Sequence, residues 1–582
     1  MARSATSEPG VSTNSSGASP SRSPTSTMGG PDTGYLRRSS GATRDSASAR
    51  TAPTSGCVNS LLLRLVRASW VRRLVIVSSS LHGVYARTLL VQANWCAHAW
   101  GKIALLWVGS TPRTPTRQGE HVSRAVAPRT PAEGRARGAG ASDTLLVHGG
   151  RRLRGAVDTA GFKHSLVTVV AAAAAARAEV RVANCPDLAE TEALAGLVSG
   201  LGGRVTRGPG TLTVDASDLQ GHAIDEETAG SIHGSVYLAP ALLARHGAAV
   251  MVNSGGCRLG DGPGGHRPIE QYVDVFRRFG ARLTVRTEER VVIEADRLTG
   301  CEIDLLDYAA DRALRSGPLY SGACKTAVLC AAVAHGTSVL HHLYPKPDVT
   351  DLVNVLRALG ADIETFGEGS LIVRGRGPES LDRPTTHTLL PDLIEVVTWM
   401  CAGALLGEEP IRVRGEQMGT ALRALRPETE VLERFGVRLD QGDTDVVVHP
   451  ARELRGTDVT IASHGVFSDS QPFLALLATH ARGASTIRET VWNSRFGYVE
   501  GLTAMGAAVR RDGASVTVEG LRPPRLPGRS VHAPELRSAA MLLLAALGVP
   551  GTTEITGTHH LARGYPDLVG SLGALGARIE RL

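Results

Sequence analysis

The sequence predicts an α/β protein of two similar domains, each built from three repeated α/β subdomains, with a disordered N-terminal extension. Two observations carry this prediction. A pattern of helix, glycine and strand recurs six times from residue 143 onward, and the composition of residues 1–142 differs from that of the remainder. Each copy is too long for a solenoid repeat and has the size of a small subdomain.

The extension, residues 1–142, is rich in Ser, Thr, Gly, Pro and Arg. It carries 18 Lys and Arg against 5 Asp and Glu, a net charge of +13, whereas residues 143–582 carry a net charge of −6. A segment of this composition has too little apolar surface to bury, and it cannot offset the entropy lost when the chain becomes ordered. We therefore expect a disordered, basic, low-complexity extension and a mildly acidic folded part, which argues against nucleic-acid binding.

One apolar stretch within this extension, residues 58–91, is interrupted by arginines. It contains no uninterrupted run of the ~18–20 apolar residues that a membrane span needs. A mitochondrial-type leader and a mis-assigned start codon both stay open, and the second is favoured. The eight cysteines of the chain form no CxxC pair or disulfide framework, so we expect a reduced, cytoplasmic protein.

Six glycines mark the repeats at intervals of 70 to 80 residues: Gly202, Gly280, Gly360, Gly436, Gly506 and Gly576. The surrounding sequence predicts a helix that ends at a left-handed glycine and is followed directly by a strand. A second apolar helix and a strand precede most copies, as in "ACKTAVLCAAVAHG". The segment "HTLLPD" divides the copies three and three, which predicts one domain at 163–389, a second at 143–162 plus 390–582, and a cleft between them.

The loop "SGGCRLGDGPGGHRP", residues 254–268, lies between a predicted strand, "AAVMVN", and a predicted helix, "IEQYVDVFRRFG". Such a loop can direct backbone N–H groups at an anion. Its spacing matches neither the Walker nor the dinucleotide glycine motif. From the residues alone, an anion site, a lid with a reactive thiol and a plain surface loop all stay open.

The repeats, the three-plus-three division and the Gly-Gly-Cys loop together resemble the enolpyruvyl transferases over residues 143–582. The UDP-N-acetylglucosamine 1-carboxyvinyltransferases are the most similar members, and 5-enolpyruvylshikimate-3-phosphate synthase is a poorer match in the loop. The resemblance implies two inside-out α/β barrels and transfer of an enolpyruvyl group from phosphoenolpyruvate. It also implies that residues 254–268 close over the cleft when nucleotide binds.

Three catalytic residues follow from this resemblance. Lys163 falls on the cleft lysine of the family, and Cys257 falls on the loop cysteine that protonates the enolpyruvyl methylene. Asp469, in "FSDSQPF", falls on the base that takes the proton from the acceptor hydroxyl. The "SDS" sequence is also a helix N-cap pattern, and the two interpretations are compatible.

The resemblance also assigns the donor side. Bidentate arginines suit planar carboxylates and phosphates. The residues expected to bind phosphoenolpyruvate are Lys163, Arg267, Arg495, Arg537 and Arg563.

On the acceptor side the sequence departs from the family pattern. His164 replaces an asparagine that contacts the sugar, His233 replaces an arginine near the nucleotide phosphates, Tyr272 replaces a histidine, and Glu270 replaces an aspartate that binds uracil. The loop is also longer. The expected acceptor-binding residues are His164, His233, Arg267, Pro268, Glu270, Tyr272, Gly322, Ser468 and Val491.

Three functions stay open on this basis. The first is enolpyruvyl transfer to UDP-N-acetylglucosamine, and the second is transfer to UMP, as in the enolpyruvyl transferases of nucleoside-antibiotic pathways. The third is a catalytically silent nucleotide-binding protein, against which the cysteine, aspartate and arginines together argue. We expect no cofactor and no metal, a monomer, no nucleic-acid or membrane partner, and phosphoenolpyruvate and a uridine nucleotide as substrates.

Overall fold

The computed structural model describes residues 143–252, 255, 259, 266–287 and 290–582. These residues belong to one compact unit, Pro131–Leu582. The expected extension, residues 1–142, lies outside the described residues, and so does most of the loop 254–268, including Cys257. Within the described part, the α/β fold of repeated subdomains is confirmed.

Six helices consist mainly of buried apolar residues. A helix that is apolar on all sides is stable only inside a core; in the first of them, every residue from Ser165 to Ala175 is buried. The six are α1 (Lys163–Ala175), α2 (Ala239–His246), α3 (Tyr320–Val333), α4 (Leu393–Leu406), α5 (Gln471–His480) and α6 (Leu536–Leu547).

A second set of helices ends at the repeat glycines. These glycines have φ angles between 90° and 114°, a left-handed conformation that favours glycine, so the predicted C-terminal caps are confirmed. The helices are Ala189–Gly200, Glu270–Arg278, Pro347–Leu359, Arg426–Phe435, Tyr498–Ala504 and Leu568–Ala574. Two shorter helices are Glu226–Ser231 and Met418–Ala424.

Each repeat glycine leads into an outer strand of one small sheet. In five sheets the first strand pairs in parallel with the second, the second pairs antiparallel with the third, and the third pairs antiparallel with the fourth. The other sheet has only the three antiparallel strands. This shared topology explains why one sequence pattern recurs at a nearly constant interval.

The sheets of the first three repeats comprise these strands in spatial order. They are Thr385–Thr388, Glu179–Ala183, Thr211–Asp215 and Arg204–Gly208; Ala248–Val252, Arg290–Glu294 and Arg282–Arg286; and Glu302–Asp304, His335–His341, Ser370–Arg376 and Ile363–Phe366.

The remaining sheets have the same order of strands. They are Ala156–Asp158, Ile411–Arg414, Asp445–Val448 and Leu439–Gln441; Val459–Ile461, Ser485–Glu489, Ser515–Val518 and Val509–Asp512; and Ser530–His532, Gly551–Thr556, Thr144–Gly149 and Arg578–Arg581. A further two-stranded sheet joins Leu454–Arg455 to Ala481–Arg482.

The buried side chains form two hydrophobic clusters. One draws its residues from positions 166–389, and the other from 145–162 and 393–575. Where the chain passes between them, Phe162 N donates to Leu390 O at 2.8 Å and Asp392 N donates to Ala160 O at 2.7 Å. The clusters support the domain boundaries expected from the sequence, which stay a proposal.

Across the described ranges, no helix is long and apolar enough to cross a membrane.

Removal of residues 1–142 is expected to leave the melting temperature and turnover unchanged. Strand Thr144–Gly149 is paired on both sides, and Asp143 Oδ1 accepts a hydrogen bond from His559 N at 2.7 Å. The shortened chain must therefore still contain Asp143 and every residue after it. Thermal unfolding and steady-state kinetics of the truncated chain test this. A lower melting temperature or lost turnover would contradict it, and a control truncation that also removes Thr144–Gly149 should prevent folding.

Candidate active site

A cavity of about 160 Å³ collects residues from both sequence segments that form the hydrophobic clusters. Helix starts contribute much of its wall: Lys163 is the first residue of α1, Ser321 the second of α3, and Leu536 the first of α6. The helix dipole is positive at that end, and three arginines add cationic side chains to the lining. The cavity is therefore suited to an anionic ligand.

Many of the residues expected from the sequence line this one cavity. They come from positions up to about 400 residues apart, which only the fold brings together. These lining residues are Lys163, His164, His233, Arg267, Ser468, Asp469, Val491, Arg495 and Arg563.

Other expected residues lie behind the wall or outside the cavity. Arg537 is buried and donates a hydrogen bond to Asp469, which lines the cavity. In the same way, the buried Tyr272 hydroxyl hydrogen-bonds the cavity residue His233. Gly322 packs against the Tyr272 hydroxyl; a Cβ there would lie 2.7 Å from that oxygen. Pro268 and Glu270 lie on a separate surface pocket, where Glu270 pairs with Arg286 at 2.6 Å.

Asp469 lies between two arginines. Its Oδ2 accepts a hydrogen bond from Arg495 Nη1 at 3.1 Å, and its Oδ1 accepts from Arg495 Nη2 at 3.3 Å and from Arg537 Nε at 3.0 Å. Burial opposes ionisation, but the two guanidinium groups outweigh it and hold the pKa of Asp469 well below its usual range. The carboxylate is therefore charged and occupies the arginines expected to hold the donor.

The lysine at the start of α1 has an acidic partner that the sequence did not reveal. Lys163 Nζ lies 2.9 Å from Glu190 Oε2, and both side chains are nearly buried. Burial opposes ionisation of Glu190, but Lys163 outweighs it and lowers the pKa of that carboxyl. Asp392 Oδ2 accepts a hydrogen bond from Lys163 N at 3.1 Å, which fixes the start of α1.

Burial disfavours the charged form of both histidines that line the cavity. Burial lowers the pKa of His164 to about 4. Burial, together with nearby Arg267, also holds the pKa of His233 well below its usual value. The Tyr272 hydroxyl hydrogen-bonds His233 Nε2 at 3.2 Å. Where the family pattern has an arginine, this wall therefore presents a neutral imidazole.

Glu489 holds in place the part of the cavity wall that contains Ser468, Val491 and Trp492. The sequence did not reveal this role either. It accepts hydrogen bonds from Ser468 Oγ at 2.7 Å, Val491 N at 2.8 Å and Trp492 N at 3.2 Å. Trp492 in turn lies under the Arg267 guanidinium, 5.2 Å from its ring centroid. The buried Glu489 carboxylate thus holds Ser468 and Val491, two of the expected acceptor-binding residues. It also holds Trp492, which packs against Arg267, a third expected acceptor-binding residue.

Comparison with protein families gives one match over most of the folded part. Residues 147–572 match the EPSP synthase (3-phosphoshikimate 1-carboxyvinyltransferase) model. UDP-N-acetylglucosamine 1-carboxyvinyltransferase 2 of Bacillus subtilis is 32% identical over 441 residues, which are 75% of this chain and 96% of that protein. UDP-N-acetylglucosamine 1-carboxyvinyltransferase 3 of Caldanaerobacter subterraneus is 33% identical over 76% of this chain and 99% of that protein.

Solved structures give a similar result. The enolpyruvyl transferase NikO from Streptomyces tendae is 50% identical with a TM-score of 0.72, over 75% of this chain and 98% of that chain. EPSP synthase from Acinetobacter baumannii has a TM-score of 0.56 at 18% identity, over 75% and 99% of the two chains, which shows a shared fold.

Proposed function

Because this chain belongs to the EPSP synthase family and is an enolpyruvyl transferase, we propose that it acts on a uridine nucleotide and that its acceptor is UMP. The observation that carries this choice is the neutral His233, buried and hydrogen-bonded to Tyr272. The family pattern has an arginine there, near the nucleotide phosphates. One cationic side chain fewer on that wall suits an acceptor with one phosphate group rather than two.

A second candidate is UDP-N-acetylglucosamine. The curated relatives named for this substrate are 32–33% identical over nearly their whole length. Ser468 and Val491, expected from the resemblance to bind the acceptor, line the cavity. The two candidates share the uridine and differ in the group attached to it, which is a single phosphate in UMP and a diphosphate linked to a second sugar in UDP-N-acetylglucosamine.

The donor half of the cavity is proposed to bind phosphoenolpyruvate through Lys163, Arg495, Arg537 and Arg563. Arg495 and Arg537 both form ion pairs with Asp469. The phosphate and carboxylate of the donor would replace that aspartate on the arginines. Asp469, released from its charge partners, would then become a better base, because losing a nearby cation raises a carboxyl pKa.

The proposed reaction is an addition followed by an elimination. Asp469 takes the proton of the acceptor hydroxyl, whose oxygen bonds to C2 of phosphoenolpyruvate, while Cys257 donates a proton to C3. The Cys257 thiolate then takes a proton back from C3, the bond between C2 and the phosphate oxygen breaks, and Asp469 gives its proton to the departing inorganic phosphate. The product is the enolpyruvyl ether of the acceptor, with no net oxidation or reduction.

Cys257→Ser is expected to lose most of the turnover, because a hydroxyl is a far weaker acid than a thiol. Cys257→Asp should keep part of it, since a carboxyl group can also donate a proton. Phosphate release with saturating substrates measures both, and Cys185→Ser, at a half-buried free cysteine outside the cavity, is the control. Full turnover of the serine variant would exclude Cys257 as the acid.

The acceptor is tested by phosphate release from phosphoenolpyruvate with UMP, UDP-N-acetylglucosamine or shikimate 3-phosphate. We expect the largest kcat/KM with UMP, and mass spectrometry should detect an enolpyruvyl group on the acceptor. A larger kcat/KM with UDP-N-acetylglucosamine would favour the second candidate. The monomeric state, the cytoplasmic location and the lack of a nucleic-acid partner stay predictions.

A further inference from the structure

A buried ion pair in the cavity wall lies outside the residue set that the family resemblance supplies. Lys325 of α3 contacts Asp348 Oδ2 through its Nζ, and the two side chains are only 11% and 3% exposed. Burying a lysine and an aspartate costs more than their attraction returns unless their remaining hydrogen-bonding groups are satisfied. Such a pair in a binding cavity therefore calls for a further partner.

The unsatisfied group belongs to Asp348. Its Oδ1 is buried and has no hydrogen-bond partner among the described residues, yet the residue lines the cavity. The Asp348 backbone is fixed, because its carbonyl accepts a hydrogen bond from Thr168 Oγ1 at 2.9 Å. Leaving a buried acceptor unpaired is costly, so this oxygen is placed to receive a donor from a ligand.

The pair lines the same cavity as Asp469 and His233. Lys325 Nζ is 5.6 Å from the centroid of the Tyr237 ring, which belongs to the His233 and Tyr272 cluster. His164, next to Lys163, is within electrostatic reach of Asp469 and also of Lys325 and Asp348. A ligand group at Asp348 Oδ1 therefore shares this cavity with the hydroxyl that Asp469 is proposed to deprotonate.

A hydrogen-bond donor is required at this place. The phosphates of the substrates are acceptors at neutral pH, and the uracil is expected near Glu270, which lies outside the cavity. The hydroxyl groups of the sugar are the remaining donors of a uridine nucleotide. In UMP the 5′ position carries the phosphate, so the free sugar hydroxyl besides the reacting one is its neighbour.

We propose that Asp348 Oδ1 accepts a hydrogen bond from the sugar hydroxyl adjacent to the one that is enolpyruvylated, and that Lys325 holds the carboxylate in position. The site thereby selects an acceptor with a vicinal diol over its deoxy analogue. This inference rests on the proposed function, because it takes a uridine nucleotide as the acceptor. Asp348 is a specificity-determining residue in this scheme, and Lys325 is a positioning residue.

The test compares UMP with 2′-deoxy-UMP and 3′-deoxy-UMP. One analogue lacks the reacting hydroxyl and gives no turnover; the other lacks only its neighbour. For the wild-type enzyme, kcat/KM should be about tenfold to a hundredfold lower with the reactive analogue than with UMP, as expected for a lost hydrogen bond to a charged group. In Asp348→Ala this ratio should fall to about one, since the oxygen that reads the hydroxyl is gone.

Asp348→Asn keeps a carbonyl oxygen and the side-chain shape, so it should retain part of the discrimination and covers the case in which the alanine variant does not fold. Asp351→Asn is the matched control, a buried carboxylate on the same helix outside the cavity, and its ratio should equal that of the wild type. An unchanged ratio in folded Asp348 variants would overturn the assignment of Asp348 alone. Absence of wild-type turnover with UMP would instead overturn the proposed acceptor.

Discussion

Asp469→Asn is expected to abolish turnover, with a loss of about a hundredfold to ten-thousandfold in kcat. An amide cannot take the proton of the acceptor hydroxyl. It also carries no charge, so Arg495 and Arg537 lose the carboxylate that accepts from them at 3.0–3.3 Å. The KM for phosphoenolpyruvate should therefore stay the same or fall, since the donor no longer competes with Asp469 for these arginines.

Steady-state kinetics with each substrate varied in turn checks this prediction. Glu453→Gln is a suitable control, because Glu453 is an exposed carboxylate in the same part of the chain and pairs with Arg482. Its kcat should equal that of the wild type. An asparagine variant that retains more than about a tenth of the wild-type rate would remove Asp469 from the role of base.

Arg537→Ala is expected to raise the requirement for phosphoenolpyruvate far more than the requirement for the acceptor. Arg537 is almost fully buried, its Nε donates to Asp469 at 3.0 Å, and its guanidinium lies 5.3 Å from the centroid of the Tyr565 ring. Removing one partner of a desolvated charge pair costs about 2–5 kcal/mol. That cost corresponds to a loss of about thirtyfold to several thousandfold in donor affinity.

The measurement is the dissociation constant of each substrate, together with a thermal melt, because the variant also leaves Asp469 with fewer partners. Arg563→Ala should behave in the same direction. Arg511→Ala is the control: Arg511 stacks on Phe496 with 4.9 Å between its guanidinium carbon and the ring centroid and does not line the cavity. Equal effects of Arg537→Ala on both substrates would place the donor elsewhere.

The fold could be predicted from the sequence because local signals repeat. A glycine such as Gly360 takes a left-handed φ of 114° at the end of its helix, and the same signal recurs at each of the six positions. Apolar runs such as the alanines of α1 likewise predict buried helices. The segments that form the second domain were harder to predict from local signals, because strand Thr144–Gly149 pairs with Gly551–Thr556 from the far end of the chain.

The candidate site was only partly predictable. Residues such as Lys163 and Asp469 could be placed because they stand in local motifs. Glu190, Asp348 and Glu489 could not, because each acquires its role only through side chains that the fold brings near: Glu190 through Lys163, Asp348 through Lys325, and Glu489 through Ser468. In the sequence, an acidic residue at a helix start looks like an ordinary favourable helix charge.

The central claim, enolpyruvyl transfer to a uridine nucleotide, is tested most directly by following the bridging oxygen of phosphoenolpyruvate. We expect that a heavy oxygen isotope at the bridge between C2 and phosphorus leaves with the inorganic phosphate, because the bond from C2 to that oxygen breaks during elimination. The enolpyruvyl nucleotide should then contain only unlabelled oxygen in its new ether bond. Label recovered in pyruvate, together with a phosphorylated nucleotide, would show that the bond to phosphorus breaks instead and would contradict enolpyruvyl transfer.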